Sequence, residues 1–415
     1  MSDGYPLRCI GDITENLDAR RRPVKSGDRR PGPYRYYGAQ GVVDHVDDYL
    51  FDGQFVLVAE DGENLRSRKQ PIALWVQGKF WVNNHAHILR GNSEVDTRYL
   101  FYAVNASDIS GYVTGSTIPK LSQGNLNRIL IPCPSISEQR AIVSILGALD
   151  DKIDLNRRMN ETLEAMVRAI FKDWFVDFGP TKAKMGGRAP YLAPEVWALF
   201  PDRLDDGGQP EGWGVDRLGA FTELQNGYAF KSSDWQSNGV PVVKIGSVKP
   251  AVVDLTEVSF ISPTLAEEHA AFRLNVGDVL VGLTGYVGET GRIPPTTNCP
   301  MLNQRVARFS TSKNFSPFVC ACVRDPVFKI YAETKAHGSA QANVSTKDLL
   351  DYPVVNPSER MIGAFDDLVG VLFERSLFNF GEISTLAATR DLLLPKLMSG
   401  EIRVKDAEKM AEEVL

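Results

Sequence analysis

Several residue groups in this 415-residue chain have types that could do chemistry, and each lacks a necessary part. Asn356-Pro357-Ser358 has the start of an Asn-Pro-Pro-aromatic methyl-transfer loop, but the second proline and the stacking aromatic are missing. It sits where Pro and Ser commonly start a helix. Gly285, Gly288 and Gly291 are spaced like a cofactor loop, yet Pro294-Pro295 follows them instead of a helix, which predicts a turn. Asp325, Glu333 and Lys335 imitate a nuclease acid-acid-lysine set in a helical context, with no counterpart in the first half of the chain. His85 and His87 alternate along an expected strand and so share a face, but two histidines do not fill a zinc site. Cys9, Cys133, Cys299, Cys320 and Cys322 form no Cys-x-x-Cys pair, which argues against a disulfide frame or a zinc ribbon. No phosphate loop of the Gly-x-x-x-x-Gly-Lys-Ser/Thr type is present. The expectation is a chain with no catalytic residues, no metal ligands and no cofactor of its own.

The residues suited to DNA are richer. Arg20, Arg21, Arg22, Lys25, Arg29, Arg30 and Arg35 form a basic run broken by Pro23, Pro31 and Pro33, with Tyr34, Tyr36, Tyr37 and Gln40 alongside. Guanidinium forks suit phosphates and guanine edges, and amides suit adenine. The other reading of this run is a solvated basic loop. In the second half Gln225, Asn226, Tyr228, Lys231 and Lys244 occupy the comparable region. Asn83-Asn84-His85 aligns with Asn303-Gln304-Arg305, a polar triplet in each half where the strand pattern expects apolar residues. Base contact and structural hydrogen bonding both fit these triplets. The net charge of −6 means that any DNA affinity rests on local basic patches or on partners that help hold the duplex.

The elements that must position these residues come in two copies. Gly115-Ser116, Leu121-Ser122, Leu126 and Pro134-Ser135 reappear as Gly338-Ser339, Val344-Ser345, Leu349 and Pro357-Ser358. The offset is 223 throughout, from 115 to 338 and from 134 to 357. The same offset lays Phe55–Val58 and Gly62 on Asp278–Val281 and Gly285, while Ile10-Gly11 matches Leu218-Gly219 at a shorter one. Short apolar runs between Gly, Asn and Pro predict β-rich modules, each with a helical piece, at Thr97–Val104 and Ser316–Glu333. Each copy ends in a long helical pattern. Ile142, Leu146, Leu149, Ile153, Asn156, Asn160, Leu163, Val167, Ile170 and Trp174 keep a 4-3-4-3 spacing, and Phe365 to Leu397 repeats it with Asn379 on Asn156. That is a coiled-coil seam, and about 40 residues make roughly 60 Å of helix. Its asparagines are either solvated breaks or polar residues that fix register. Between the copies, Gly179 to Trp213 is rich in Pro and Gly and predicts a linker with one short helical piece near Glu195–Phe200.

The residues of several segments together resemble the specificity (S) subunit of type I restriction–modification systems, over nearly the whole chain. They are Tyr36–Gly41, Glu60–Gly62, Pro134 with Glu138-Gln139-Arg140 and Ile142, Lys172–Pro180, Leu199–Pro201 with Pro210–Trp213, and Leu393–Ile402. The second copy departs by carrying Glu359-Arg360-Met361 where the first has Glu138-Gln139-Arg140. The resemblance implies an α+β fold with two tandem β-rich target-recognition domains separated by two long helices pairing as an antiparallel coiled coil. The expected divisions are 1–134 and 215–357 for the recognition domains, and 135–178 and 358–403 for the helices. A linker at 179–214 and a tail at 404–415 complete them. It also implies partners: double-stranded DNA, two methyltransferase subunits that use S-adenosylmethionine, and restriction subunits that use ATP and Mg²⁺. The gap between two half-sites would be set by the helices. The sparse, odd-numbered cysteines suggest a reducing cytoplasm, and neither a run long enough to span a membrane nor a secretory leader is visible. The competing readings are a solitary two-domain DNA-binding regulator, and a self-contained modification enzyme needing a cofactor loop.

Overall fold

The computed structural model describes residues 5–256, 258–311, 316–338 and 341–415, so Ser339 of the repeated Gly-Ser pair lies outside the described residues. The chain divides into two compact units, residues 1–154 with 384–415 and residues 155–383.

The first unit holds β1 (Leu7–Cys9), β2 (Thr14–Asn16), β3 (Tyr34–Gly38), β4 (Gly41–Val46), β5 (Phe51–Ala59), β6 (Ala73–Val82), β7 (Ala86–Gly91) and β8 (Leu130–Pro132). Six of them form one sheet in the order β2-β7-β5-β6-β3-β4, and β1 pairs with β8 in a separate ribbon. The central strand β5 pairs antiparallel with β6 and β7, and its run Phe55–Ala59 is buried throughout. Continuous apolar sequence is what a strand covered on both faces requires. Phe51, Phe55 and Phe80 pack ring against ring with Tyr37, Val82 and Ile88. The helix Thr97–Ala106 packs on β5 and β6 and starts at Asp96, whose carboxylate accepts from the amides of Arg98 and Tyr99.

The second unit holds β9 (Gly214–Arg217), β10 (Glu223–Asn226), β11 (Val240–Val243), β12 (Ala251–Val252), β13 (Ser259–Ile261), β14 (Val279–Gly282), β15 (Thr290–Arg292), β16 (Met301–Leu302), β17 (Val306–Ser310) and β18 (Pro353–Asn356). Here the strands split into a five-stranded sheet, β10-β17-β14-β15-β12, a three-stranded sheet, β13-β11-β16, and the ribbon β18-β9. The single helical piece expected over Ser316–Glu333 is two helices, Pro317–Arg324 and Pro326–Lys335. Pro326 has no N–H to continue the first helix, and Asp325 caps the second.

The repetition is written in backbone hydrogen bonds. Ile10 donates to the Ile129 carbonyl at 3.0 Å and Leu218 to that of Tyr352 at 2.8 Å. Leu121 donates to Glu60 at 2.8 Å, and Val344 to Leu283 at 2.9 Å. Thr114 bridges Lys120 as His337 bridges Asn343. Gly115 and Gly338 both have positive φ, +89° and +117°, and an added Cβ would stand 2.2 Å from the Ile118 carbonyl oxygen and 2.6 Å from that of Gln341. Only glycine fits either turn.

The long helices are Ile136–Phe175 and Glu359–Ser399. In the first unit Ile142, Leu146, Leu149, Ile153, Leu386, Leu393 and Leu397 are buried, and Arg390 donates to Asp150 at 2.8 Å. In the second unit Asn156 donates to Glu382 at 3.1 Å, Asn379 to Asn160 at 2.9 Å, and Trp174 meets Phe365 edge-on. Rising numbers on one helix meet falling numbers on the other, which is antiparallel pairing. Asn156 and Asn379 have no exposed surface, so they are buried seam residues and not solvated breaks.

The linker is more regular than its composition predicts. Gly179–Met185 is helical because Pro180 falls in the first turn, where its missing N–H costs nothing, and Gly187 ends the turn with φ +63°. Further on, Phe200 and Trp213 bury their rings against Trp174 and Phe175. Among the described residues no helix is long and apolar enough to cross a membrane.

Candidate nucleic-acid interface

In the first unit four loops meet at one end of the sheet. They are the exit of β5 at Glu60–Gly62, the β6–β7 turn at Asn83–His85, the hairpin Thr114–Lys120, and the β3–β4 turn carrying Gln40. Glu60 donates its amide to the His85 carbonyl at 2.9 Å, Gly62 to Pro119 at 3.1 Å, and Asn83 to Tyr37 at 3.0 Å. The Gln40 amide stands 3.6 Å from where a Cβ on Gly62 would be. Gln40, Asn84 and His85 are exposed, Asn83 is half-buried, and Ile118 at the hairpin tip is 64% exposed. The two histidines do not share a face. The turn breaks the strand before His85, whose Nδ1 is 2.7 Å from Asp61, while His87 inside β7 is buried.

The basic run splits into two kinds of residue. Arg22, Lys25, Arg30 and Arg35 are exposed. The Arg22 carbonyl accepts from the Trp81 indole at 2.6 Å, which ties this segment to β6. Arg20 is exposed too, with its guanidinium 4.9 Å over Phe51. Arg21 and Arg29 instead spend their donors inside the fold. Arg21 pairs with Glu60 at 2.7 Å and Asp18 at 3.4 Å, and Arg29 pairs with Asp44 at 3.1 Å over the Tyr36 ring. Tyr34 packs on Tyr49, and Tyr37 is buried against Phe80.

Glu60 and Asp18 carry the electrostatics of this end. Burial works to raise both carboxyls. For Asp18 the His87 hydrogen bond, the Ile88 amide and Arg21 overcome it, and for Glu60 the Arg21 and Lys120 bonds and the nearby His87 do so. Both acids therefore lie below the usual carboxylate range and are ionised at neutral pH.

The second unit assembles the corresponding loops. Leu283 donates to the Arg305 carbonyl at 3.0 Å, matching the Glu60–His85 bond, and Gln304 donates to Tyr228 at 3.0 Å. Asn303-Gln304-Arg305 is thus a strand-joining turn like Asn83–His85, with Gln304 and Arg305 exposed. Tyr228 stacks on His269 at 3.8 Å. Asn226 and Lys231 are exposed. Lys244 is held by Ser259 at 2.7 Å over the Trp235 ring, and Gln225 donates to Ala271 at 2.9 Å, so these two serve internal contacts. Sequence reasoning missed the two hairpins and Tyr286, which is 57% exposed with Lys249 over its ring. The constant-offset Gly-Ser pairs marked both hairpins as repeats.

The family described as the type I restriction modification DNA specificity domain matches residues 3–165. The HindI specificity subunit of Haemophilus influenzae is 25% identical over 95% of this chain and 91% of its own length. The MjaIX specificity subunit of Methanocaldococcus jannaschii is 27% identical over 75% of this chain and 70% of its own. The chain is similar to type I specificity subunits over most of its length. A further Haemophilus influenzae specificity subunit is 38% identical over 144 residues, where the chain spans 36% of that relative's length. The crystal structure of a type I S subunit from M. genitalium shares the fold, with a TM-score of 0.58 at 16% identity over 96% of this chain and 97% of that one.

The place where the second copy departs from the family's pattern has a structural answer. In the first copy Gln139 is fully buried, accepts from the Asp96 amide at 2.9 Å and donates to the carbonyls of Glu94 at 3.0 Å and Pro134 at 2.9 Å. It thereby fixes the start of the helix Thr97–Ala106 to the long helix. In the second copy Asp366 accepts from the Phe318 amide at 2.8 Å and anchors the helix Pro317–Arg324 instead.

Proposed function

We propose that this chain is the DNA sequence-specificity subunit of a type I restriction–modification complex. Each module reads one half of a bipartite site, and the paired helices set the gap. The observation that carries this reading is that the strand exit, the polar turn and the glycine hairpin of the first module recur in the second, in a chain that devotes about 80 residues to two helices. Two methyltransferase subunits would bring S-adenosylmethionine and restriction subunits would bring ATP and Mg²⁺. The chain itself would perform no catalysis and would act in the cytoplasm. Exposed Arg20, Arg22, Lys25, Arg30 and Arg35 would meet phosphates, while Gln40, Asn84, His85, Tyr228, Gln304 and Arg305 stand at the loop ends where base edges would be read. A methylome of cells carrying this chain with its methyltransferase partners tests the reading. The expected result is one asymmetric bipartite motif. A continuous motif, or tight site-specific binding by the isolated chain, would favour a solitary regulator.

A further inference from the structure

The hairpin that closes each loop set is held by the same backbone bonds, so its residues can be matched one to one. Gly62 donates to the Pro119 carbonyl at 3.1 Å and Gly285 to that of Ala342 at 2.9 Å. Asp61 bridges Lys120 as Thr284 bridges Asn343. The glycine that opens each turn, Gly115 or Gly338, faces the carbonyl of Ile118 or Gln341. Gln341 therefore stands in the second module where Ile118 stands in the first. Its amide nitrogen lies 3.4 Å from the position a Cβ would take on Gly285. Ile118 has no donor or acceptor in its side chain. In the first module the amide nitrogen of Gln40 takes up this place, 3.6 Å from the Cβ position of Gly62, and it arrives from the β3–β4 turn. Gly62 and Gly285 both have positive φ, +113° and +78°, and neither has a side chain to cover the spot. Two unrelated loops thus deliver the same functional group over the same glycine.

We propose that Gln40 and Gln341 are equivalent specificity residues, each reading an adenine in its own module's half-site. The inference rests on the specificity-subunit reading. Both side chains are exposed, and neither amide has a hydrogen-bonding partner among the described residues. Gln225, in contrast, spends its amide inside the fold, donating to Ala271 and accepting from Arg308. An amide offers one acceptor and one donor side by side. The adenine edge in the major groove offers the complement, since N6–H donates to the amide oxygen and N7 accepts from the amide nitrogen. Guanine presents two acceptors there, cytosine a donor alone, and thymine an acceptor beside a methyl group, so none of them pairs with both ends of the amide. The bond from Gly285 to Ala342 fixes the backbone next to Gln341 before DNA arrives, which lowers the ordering cost of the contact.

The test uses the full chain assembled with its methyltransferase partners. Its motif is read by methylome sequencing, and its binding is read on duplexes varied one base pair at a time. Gln341→Ala should relax one A·T pair in one half-site, and Gln40→Ala one A·T pair in the other. Each variant should lose about five- to 150-fold of discrimination at that pair and change other positions by less than about twofold. Gln341→Glu keeps the size of the side chain but exchanges its donor for an acceptor. Preference at the affected pair should then move toward C·G, because the cytosine N4 group donates. This variant also decides the matter if Gln341→Ala fails to assemble. A uniform loss on all sequences, a motif unchanged by both alanine variants, or relaxation at a G·C pair would overturn the assignment while the bipartite motif stands. An unsubstituted complex that yields no bipartite motif sinks the specificity-subunit reading itself, and the assignment falls with it.

Discussion

Asn379 donates its side-chain amide to the side-chain carbonyl of Asn160 at 2.9 Å, and the two are 0% and 5% exposed. A buried polar pair in the seam lowers stability but penalises a shifted register, because a slip would break the one bond that the two amides share. Asn379→Leu alone should therefore cost about 1–3 kcal/mol, the penalty of stranding Asn160. Asn160→Leu together with Asn379→Leu should be neutral or stabilising in urea denaturation. Should the single variant prove as stable as the double one, the asparagine bond would have no part in fixing register.

The division of the basic run predicts two phenotypes. Changing Arg22, Lys25 and Arg30 to Ala should weaken binding of the assembled complex to all sequences. The slope of log affinity against log salt should fall by about 0.9 for each phosphate that is no longer neutralised. Arg21→Ala should instead remove one cation from Glu60 and Asp18, leaving Lys120 and the Ile88 amide as their remaining partners, and destabilise the first unit by about 1–3 kcal/mol. A change of base preference with the salt slope intact would make the exposed three base readers.

How far the site was legible follows from where each partner comes from. The fold class was readable because its marks are local: short apolar runs between Gly, Asn and Pro, and a 4-3-4-3 seam. The exposed residues Arg22, Lys25 and Arg30 were equally readable, since a basic run needs no partner to be basic. Arg21 and Arg29 were not separable from them, because Glu60 and Asp44 reach them from other strands. The His85 and His87 pattern misled for a similar reason. Alternation places two side chains on one face only if the strand is unbroken, and the turn at Asn84-His85 breaks it. The Gly179–Met185 helix was hidden by composition, since proline in a first helical turn reads like proline in a loop.

Acid should open the first module before the second. Asp18 is held below its usual value, so its bonds contribute their full stability above the unfolded carboxyl value of about 3.9, and that stability is lost as pH falls through the lower folded value. Glu60 acts in the same direction. In strands β14 and β17 Ala307 takes the place of His87, and the acid beside them, Asp278, bonds Arg308 at 3.1 Å. Hydrogen exchange read below about pH 4 should show β5 and β7 losing protection while β14 and β17 keep theirs. Simultaneous loss in both modules would mean that the buried acids do not govern acid stability.

The paired helices offer the most direct test of how the gap is set. Within the second unit Asn160 stands opposite Asn379, which gives a level at which both helices can be lengthened together. Seven residues inserted after Asn160 and seven before Asn379 keep the 4-3-4-3 seam in phase on both sides. The pair would grow by about 10 Å, at 1.5 Å per residue. That corresponds to roughly three base pairs at 3.4 Å each. The duplex also turns by about a third of its ~10-base-pair repeat over that distance, and the helices would not follow it freely, so some affinity should be lost. Neither module is altered, so the two recognised half-sequences should stay the same. Methylation mapping of the variant, assembled with its partners, should show those halves separated by a wider gap. If the original gap persists, the helices are not the ruler, and residues 179–213 become the segment to shorten next.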